Sequence, residues 1–538
     1  MTIGLLVLYV AIAALILTLW VGFATNRIKN WLVSFFQNFC GALFIFSGWV
    51  KAVDPLGTAY KLEQYFAEFE STFSGTWFSF LSPLFPWMAN YAVALSVFMI
   101  VFEIVLGIML IIGAARKAAA WAFLLLVVFF AFLTGFTYLT GYVPEGANFF
   151  QFAHWGPYVE TNMKVTDCGC FGDFIKLKPM TSFLKDVFLL IPSFLFVFAH
   201  KRMHQLFGAG ARTAITILGT IALVFYCFNN YVWDLPHTDF RPFKVGRNIR
   251  LEKTLETLAE NNVEVEAYRM TDKSTGETVE LPLEQYLREY KNYPKEEWEL
   301  EQVKSKPNVV VVRSDSAPEG YVIPSAEGED FEQELVRYVK EHWKLEGDTT
   351  VHFVEHTKVS DFEASAGEGM DVAEEVLSNP DYSFMIIAYK LYADKEDVVN
   401  ELVVDTIYAV DTVAVGDSIK LVQRIDRVDK KQVPKKAYTW NQHHLAPWIG
   451  VVNPVLKAAE EAGYSSFAIT AFAEPEKLES FRAATESDYP FYTADDILLK
   501  TIIRSNPGVV LLKNGAVIMK WHYKQLPSFE EIKSTYMK

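Results

Sequence analysis

The chain has 538 residues, enough for roughly two to four domains, and 51% of them are hydrophobic although the formal net charge is −15. Residues 1–232 carry 13 Lys and Arg against 10 Asp and Glu, whereas residues 233–538 carry 36 against 54. This acidic balance lacks the clustered Lys and Arg that bind phosphate, so nucleic acid is not expected as a partner. Four cysteines in a chain of this length exclude a disulfide-rich scaffold.

The first 233 residues contain six apolar runs of about the length that crosses a bilayer, roughly 20 residues. They predict a six-helix transmembrane bundle embedded in lipid, with helices at about 3–24, 31–50, 91–115, 118–144, 183–199 and 213–233. The first run is not a secretory signal peptide, because its basic flank follows it at Arg27 and Lys29 instead of preceding it.

The orientation of the bundle follows from the Lys and Arg of its short connections, which favour the cytoplasmic side. Three short connections contain Lys or Arg, and all three are predicted on the same side of the membrane. Their basic residues are Arg27, Lys29, Arg116, Lys117, Lys201, Arg202 and Arg212. The longer loops 51–90 and 143–182 then lie on the other side. We therefore predict a bacterial inner-membrane protein with both termini and everything after residue 233 in the periplasm.

One of these outer loops contains a Cys-Gly-Cys triplet, Cys168-Gly169-Cys170, flanked by Asp167 and Asp173. Gly169 permits the tight turn that would let the two thiols close a strained disulfide, and strained disulfides exchange readily. A structural disulfide or packed turn is a second use of the pair. A metal site with the two aspartates is a third, although its spacing is tighter than the usual Cys-x2-Cys. We predict Cys168 and Cys170 as a catalytic pair, with Asp167, Gly169 and Asp173 supporting it.

The charges beside the triplet oppose its reactivity. Asp167 and Asp173 should raise the thiol pKa unless Lys164 or Lys176 compensates. Two further cysteines lie in predicted helices. Cys227 is either a resolving thiol or a small apolar core residue, and Cys40 is expected in the core.

Glu103 is a carboxylic acid inside the third predicted span, where an ionised group is costly. It is expected to be protonated, or paired with Lys51 or with a polar group such as Thr134 or Thr137. An intramembrane acid is either a functional site or a contact that holds helices together, and the sequence leaves both readings open. We include Glu103 among the supporting site residues.

Taken together, residues 46–55, Glu103 followed by Gly107, and the loop 167–173 resemble the DoxX-like membrane proteins. The subgroup that includes MauE is the most similar, over about residues 32–205. The resemblance implies a four-helix core formed by the second to fifth predicted helices. It also implies disulfide formation in a periplasmic client protein. Other DoxX relatives belong to quinone-linked systems, so a quinone is an open cofactor.

The acidic part divides into an α+β linker or subdomain at 234–348 and a second region at 349–538. In the second region, strands at 383–389 and 466–470 alternate with helices at 454–462 and 475–485. Pro507, an Asn514-Gly515 hairpin and a helix at 528–536 follow. This order resembles the thioredoxin fold, with Pro507 at the cis-proline position and an insertion at about 391–440.

The thioredoxin-like region has no Cys-x-x-Cys motif; His443 and His444 lie where that motif would be. Two solvated loop histidines are expected there, a metal or acid/base pair being the alternative. The region is therefore expected to bind a partner and not to exchange disulfides. Two functions stay open for the whole chain: a thiol–disulfide oxidoreductase, and a non-enzymatic membrane scaffold or assembly factor in which the cysteine pair is structural.

Overall fold

The computed structural model describes residues 2–165, 169–326, 329–415 and 418–538. The chain divides into two compact units, Met1–Arg241 and Pro242–Lys538. The first unit is helical throughout its described part. Its α-helices are α1 (Ile3–Thr25), α2 (Trp31–Val53), α3 (Pro55–Phe73), α4 (Leu84–Ala89), α5 (Ala92–Ile112), α6 (Arg116–Thr140), α7 (Pro179–Ala199) and α8 (Ala209–Phe228).

Six helices of the described chain are long and apolar enough to cross a membrane: α1, α2, α5, α6, α7 and α8. The prediction of six apolar spans is confirmed. The fifth span begins earlier than predicted because Pro179 occupies the first turn of α7, a position that suits proline. Lys185 and Asp186 consequently lie inside this helix, about two turns after its first residue.

The central four helices form a closed ring in which α2 packs on α5, α5 on α6, α6 on α7, and α7 on α2. The outer helices α1 and α8 pack on α2 and α5 respectively. Large apolar side chains on α8 are exposed: Ile217, Leu218, Ile221 and Phe225. Such an outer surface is suited to the lipid of a bilayer and not to water.

The loop predicted at 51–90 contains an amphipathic helix, α3, that the sequence analysis missed. Pro55 starts it, and the Asp54 side chain accepts a hydrogen bond from the Gly57 amide at 3.1 Å, capping the first turn. The face of α3 that packs on the bundle buries Leu62, Tyr65, Phe66 and Phe69.

The three basic connections meet at one end of the bundle. The Arg27 guanidinium donates to the carbonyl oxygens of Gln205 and Phe207 at 3.2 and 3.3 Å. The Arg116 guanidinium donates to those of Lys201 and Met203, both at 3.1 Å. The α1–α2, α5–α6 and α7–α8 connections therefore share one face.

The second unit is a mixed α/β structure. Its first part contains α9 (Ile249–Asn261), β1 (Val265–Asp272), β2 (Thr278–Pro282), α10 (Leu283–Glu289), β3 (Trp298–Lys304), β4 (Asn308–Arg313), β5 (Tyr321–Val322), α11 (Glu329–His342) and β6 (Thr349–Phe353). The strands form two three-stranded sheets, ordered β2-β1-β3 and β5-β4-β6. Strand β4 is apolar, whereas the strands β1–β3 are highly charged and were not predicted from the sequence.

The second part of this unit is built on a larger sheet. Its elements are β7 (Ser365–Ala366), β8 (Met370–Asp371), α12 (Ala373–Leu377), β9 (Tyr382–Ala388), β10 (Ala393–Val415), β11 (Ser418–Trp440), α13 (Gln442–Pro447), α14 (Asn453–Glu461), β12 (Ser465–Ala471), α15 (Pro475–Thr485), β13 (Phe491–Ala494), α16 (Asp496–Ile502), β14 (Gly508–Lys513), β15 (Ala516–His522) and α17 (Phe529–Tyr536).

Seven of these strands form one mixed sheet in the order β15-β14-β9-β12-β13-β7-β8. Strands β9, β12 and β13 are parallel, whereas β14 runs antiparallel to both β9 and β15. The predicted strands at 383–389 and 466–470 and the predicted hairpin are present as β9, β12 and β14–β15. The Asn506–Pro507 peptide bond is cis.

The insertion at 391–440 is a single long hairpin of β10 and β11, each 23 residues long. Its base is fixed to α15 by the ion pair between Lys477 and Glu396, and by the buried Trp440, which packs against Phe481. A second ion pair joins Lys436 to Glu474 at 2.6 Å. The two strands form a sheet of their own.

Candidate functional site

Helices α2 and α5 cross at a pair of facing glycines. A Cβ atom added to Gly41 would lie 2.8 Å from the carbonyl oxygen of Gly107, and one added to Gly107 would lie 2.7 Å from that of Gly41. Small residues on both helices are what allow two backbones in a membrane bundle to approach so closely. This crossing fixes the register between the two helices.

The register brings Lys51 of α2 into an ion pair with Glu103 of α5. Both side chains are buried, and the Lys51 ammonium also lies 5.2 Å from the centre of the Phe130 ring on α6. Of the partners considered for Glu103 from the sequence, Lys51 is the one observed. A buried ion pair satisfies each charge that the apolar surroundings would otherwise penalise.

A second ion pair, between Lys185 and Asp186, lies near the start of α7, and a hydrogen bond links its buried acid to α6. The Asp186 carboxylate accepts hydrogen bonds from the Lys185 ammonium and, at 3.0 Å, from the Thr134 hydroxyl. Asp186 is 1% exposed, so this acid is as buried as Glu103. Thr134, considered from the sequence as a partner of Glu103, thus binds Asp186, and Thr137 instead bonds to the Tyr65 hydroxyl at 2.9 Å.

The cysteine loop is fixed to this end of the bundle. The Ser47 hydroxyl of α2 donates to the carbonyl oxygen of Cys170 at 2.9 Å. The neighbouring Phe171 is buried against Phe46, and its ring centre lies 5.9 Å from the Lys185 ammonium. Gly169 has a φ of 59°, in the left-handed region that favours glycine.

Cys170 is half-buried beside both ion pairs. Burial raises the pKa of its thiol, and the positive charge of Lys185 opposes that rise, while the negative charge of Asp186 adds to it. Lys51 also lowers the pKa of this thiol and Glu103 also raises it, both more weakly than Lys185 and Asp186 do. The charges that act on this thiol therefore come from the helix bundle. Lys164, considered from the sequence as a compensating charge, pairs with Glu68 at 3.4 Å.

The other predicted site residues are distributed as follows. Asp167 and Cys168 lie outside the described residues, and Asp173 is exposed. Cys40 and Cys227 are fully buried in apolar clusters, as expected for core residues. Cys40, Cys170 and Cys227 form no disulfide with one another. No group of metal-ligating side chains occurs within the described ranges.

The sequence analysis missed Lys185 and Asp186 as members of this site. The signal was present, since a lysine and an aspartate interrupt an otherwise apolar run in the fifth span. An intramembrane ionisable residue is a site hypothesis by default, and the same rule that singled out Glu103 applies to both.

In the second unit, the interpretation of His443 and His444 as two solvated loop residues is wrong for one of them. His443 is exposed, but His444 lies in α13 and is 7% exposed, packed between the rings of Tyr392 and Phe481. This burial lowers the pKa of His444 to about 4. The imidazole is therefore neutral at physiological pH.

Comparison with known proteins places a family match on the membrane unit. Residues 29–145 match the family described as Methylamine utilisation protein MauE. The matched region covers α2 to α6, including Lys51, Glu103 and the facing glycines, and ends before the cysteine loop. No curated protein matches the chain, and no solved structure does.

Proposed function

We propose that this chain is a MauE-like membrane protein that exchanges disulfides with a client protein through Cys168 and Cys170. The observation that carries the proposal is the set of contacts and charges that surround Cys170. Its loop is bonded to Ser47 and packed through Phe171, and its sulfur is under the electrostatic influence of Lys185 and Asp186. A merely structural turn would have no need of two nearby ion pairs with buried carboxylates, given what buried charges cost.

In the proposed step, a client thiolate attacks one sulfur of a Cys168–Cys170 disulfide. A client–protein disulfide forms as the Cys168–Cys170 bond breaks, and the released thiolate takes up a proton. A second client thiolate then displaces the protein, so that the client gains a disulfide and the protein retains both thiols and two electrons. Repeated turnover requires a two-electron acceptor, for which a quinone is the proposed class.

Lys185 has a positioning role in this step. Its ammonium group is held by Asp186, which Thr134 holds in turn, and so a positive charge is fixed beside the sulfur of Cys170. A fixed cation stabilises a thiolate released at that sulfur, which burial alone would disfavour.

We also propose that the cysteine loop faces the periplasm. The three basic connections share one end of the bundle, which the positive-inside rule assigns to the cytoplasm. Ser47 lies near the end of α2 and Lys185 near the start of α7, and both positions are remote from that basic end. An oxidising compartment is where a cysteine pair persists as a disulfide.

For residues 349–538 we propose a thioredoxin-like domain that binds the client, preceded by a separate α+β region at 234–348. The strand order β15-β14-β9-β12 and the strand directions support this fold. No cysteine follows Cys227 in the sequence, so this domain has no thiol with which to exchange. That absence also favours the second candidate function, a scaffold that binds partners without redox chemistry.

Differential alkylation tests the redox proposal on the full-length protein in lipid nanodiscs. The protein is alkylated before and after mild reduction, and the label on each cysteine is located by mass spectrometry. We expect Cys168 and Cys170 to be protected before treatment and labelled after millimolar dithiothreitol. We also expect Cys168→Ser and Cys170→Ser each to abolish client oxidation, because neither variant can form the disulfide that the client thiolate attacks, whereas the matched variant of a buried core thiol, Cys227→Ser, behaves like wild type.

Two results would contradict the redox role. One is a pair that is already reduced on isolation or that resists millimolar dithiothreitol. The other is unchanged client oxidation in cells that carry the Cys168→Ser, Cys170→Ser double variant. The second result would leave the scaffold function as the better account of the chain.

A further inference from the structure

The connection between α3 and α5 carries no charge. From Ser71 to Phe102 the sequence contains no Asp, Glu, Lys, Arg or His. This uncharged run includes residues 74–91, called here the aromatic segment, and continues into α5, which is long and apolar enough to cross a membrane. A connection in water would be expected to expose charged residues, which occur mostly at protein surfaces.

One side of the aromatic segment exposes large apolar side chains. Leu84 and Trp87 are three residues apart in α4, so they share a side of that helix, and the Trp87 ring lies 5.1 Å from the Tyr91 ring. Exposed apolar side chains that are concentrated in one short segment mark an interaction surface. The side chains concerned are between 45% and 80% exposed, and they are Trp77, Phe80, Leu84, Trp87 and Tyr91.

The other side of the segment is packed on the helix bundle. Phe85 and Met88, also three residues apart in α4, pack against a buried cluster from α3, α5 and α6. The Phe85 ring lies 5.5 Å from the ring of Phe69 on α3. The segment is therefore fixed on the bundle, and its exposed side chains face outwards.

The polar groups of the segment find partners within it. The Thr76 hydroxyl donates to the carbonyl oxygen of Phe73 at 2.7 Å. Pro83 and Pro86 have no amide hydrogen that would require a partner. Because an unpaired polar group is costly away from water, these internal hydrogen bonds suit a segment that leaves water. Four backbone amides bond to the carbonyl oxygen three residues earlier, and they belong to Ser79, Leu81, Ser82 and Phe85.

The position of the segment puts it at the boundary of the bilayer. It ends at Tyr91, directly before the first residue of α5, whose other end leads to the basic connection at Arg116. The segment therefore lies at the end of the bundle opposite the three basic connections. Phe98 on α5 is 64% exposed, so exposed apolar side chains continue from the segment onto the side of α5 that faces lipid.

Lipid fits this surface better than a protein partner or water does. Tryptophan and tyrosine rings are enriched where acyl chains meet headgroups, and the segment exposes Trp77, Trp87 and Tyr91. A protein interface has a polar, solvent-accessible rim, whereas no residue of this segment is charged. Water would leave the large apolar side chains uncovered, at a free-energy cost that grows with their area.

We propose that the aromatic segment is an interfacial membrane anchor, which inserts its exposed side chains into the leaflet farther from the basic connections. It lies in the plane of the bilayer surface, with its rings about 5–10 Å deep, at the boundary between headgroups and acyl chains. This lipid contact is additional to the six spanning helices. It does not depend on the redox function.

Site-specific photocrosslinking tests the lipid contact in the full-length protein, in nanodiscs of phosphatidylethanolamine and phosphatidylglycerol. A benzophenone amino acid replaces Phe80 or Trp87 in the segment, or Phe98 on α5 as the positive control. The matched control is Ala67, at the same end of the bundle, on the exposed side of α3 that also carries Glu70. We expect phospholipid adducts at positions 80 and 87 to be about as abundant as at 98, and roughly tenfold more abundant than at 67.

The depth of the segment is measured with a small fluorescent amino acid at position 87. A nitroxide near the top of the phospholipid acyl chain should quench its fluorescence more than a nitroxide at the end of the chain does. Stronger quenching by the deeper nitroxide, or quenching only by a nitroxide in the water, would contradict an interfacial position.

Two crosslinking results would also overturn the proposal. One is a lipid-adduct yield at positions 80 and 87 no higher than at position 67, which would leave the surface in water. The other comes from the same variants irradiated in native membranes. Protein adducts at positions 80 and 87 in place of lipid adducts would assign the surface to a protein partner.

Discussion

Lys51 of α2 and Glu103 of α5 form an ion pair inside the membrane bundle, between the two helices that cross at Gly41 and Gly107. The glycines bring the two backbones together, and the register that results sets the lysine against the acid. A second pair, Lys185 and Asp186, lies nearer the cysteine loop. The site thus combines two ion pairs with the thiol of Cys170, on which both pairs act electrostatically.

The first prediction concerns the Lys51–Glu103 pair. Glu103→Gln or Lys51→Met leaves one buried charge without a partner, and each should destabilise the bundle by about 3–5 kcal/mol. The double variant should recover most of that loss, because neither charge remains. Reversible unfolding in mixed detergent micelles measures all three. The pair of the exposed Lys164 with the half-buried Glu68 is the control, and Lys164→Met should cost no more than about 1 kcal/mol. Additive losses in the double variant would contradict the pairing.

The second prediction concerns the helix crossing. Gly107→Ala places a Cβ against the Gly41 carbonyl oxygen, so α2 and α5 must separate, and Lys51 must move away from Glu103. We expect a loss of about 1–3 kcal/mol, typical of overpacking. Gly219→Ala in α8 is the matched control, since its nearest contact would be the Ile108 side chain at 3.8 Å. Equal stability of the two variants would argue against a close crossing.

The sequence predicted the membrane unit well for a physical reason. A helix that crosses a bilayer must be long and apolar, so each span is visible in the sequence as a long apolar run. The packing of the helices against one another could not be predicted as well from the sequence. Thr134 could be proposed as a partner for Glu103 but not assigned to Asp186, because that choice depends on how α6 and α7 are rotated against each other.

In the second unit, local patterns predicted the buried strands β9 and β12, since parallel interior strands read as continuous apolar runs. The charged strands of the β2-β1-β3 sheet have no such pattern, and α3 of the membrane unit was hidden among the aromatic residues of a loop. The burial of His444 was also unpredictable, because Tyr392 and Phe481, which enclose it, are distant in sequence.

The third prediction concerns the thiol of Cys170. Lys185 lowers its pKa and Asp186 raises it, so the two substitutions should act in opposite directions. In a Cys168→Ser background, Lys185→Met should shift the pH profile of alkylation upward, and Asp186→Asn should shift it downward. At pH 8, Lys185→Met should therefore slow the alkylation and Asp186→Asn should accelerate it, each by roughly severalfold. A small membrane-permeant maleimide measures both rates.

The control for this experiment is Lys176→Met, which removes an exposed lysine from the same loop region. Its profile should coincide with that of the Cys168→Ser background. Shifts of the same sign in the Lys185 and Asp186 variants would indicate a change in loop exposure, and would contradict an electrostatic effect of the ion pair on Cys170.

The fourth prediction concerns the acid stability of the second unit. Burial lowers the pKa of His444 to about 4, so the unfolded chain binds a proton there at a higher pH than the folded chain does. The stabilisation is present above the unfolded pKa of about 6.5 and is lost as the pH falls from there towards 4, by about 3 kcal/mol. Burial and the charge of Lys524 lower the pKa of His522 to about 4, with the same sign. His444→Phe should therefore remove about half of the combined pH dependence.

Hydrogen exchange of α14 in the full-length protein, corrected for intrinsic rates, measures how steeply the free energy of unfolding changes with pH. The variant of the exposed neighbour, His443→Phe, is the control. A slope unchanged by His444→Phe would show that this imidazole is not buried in the neutral form.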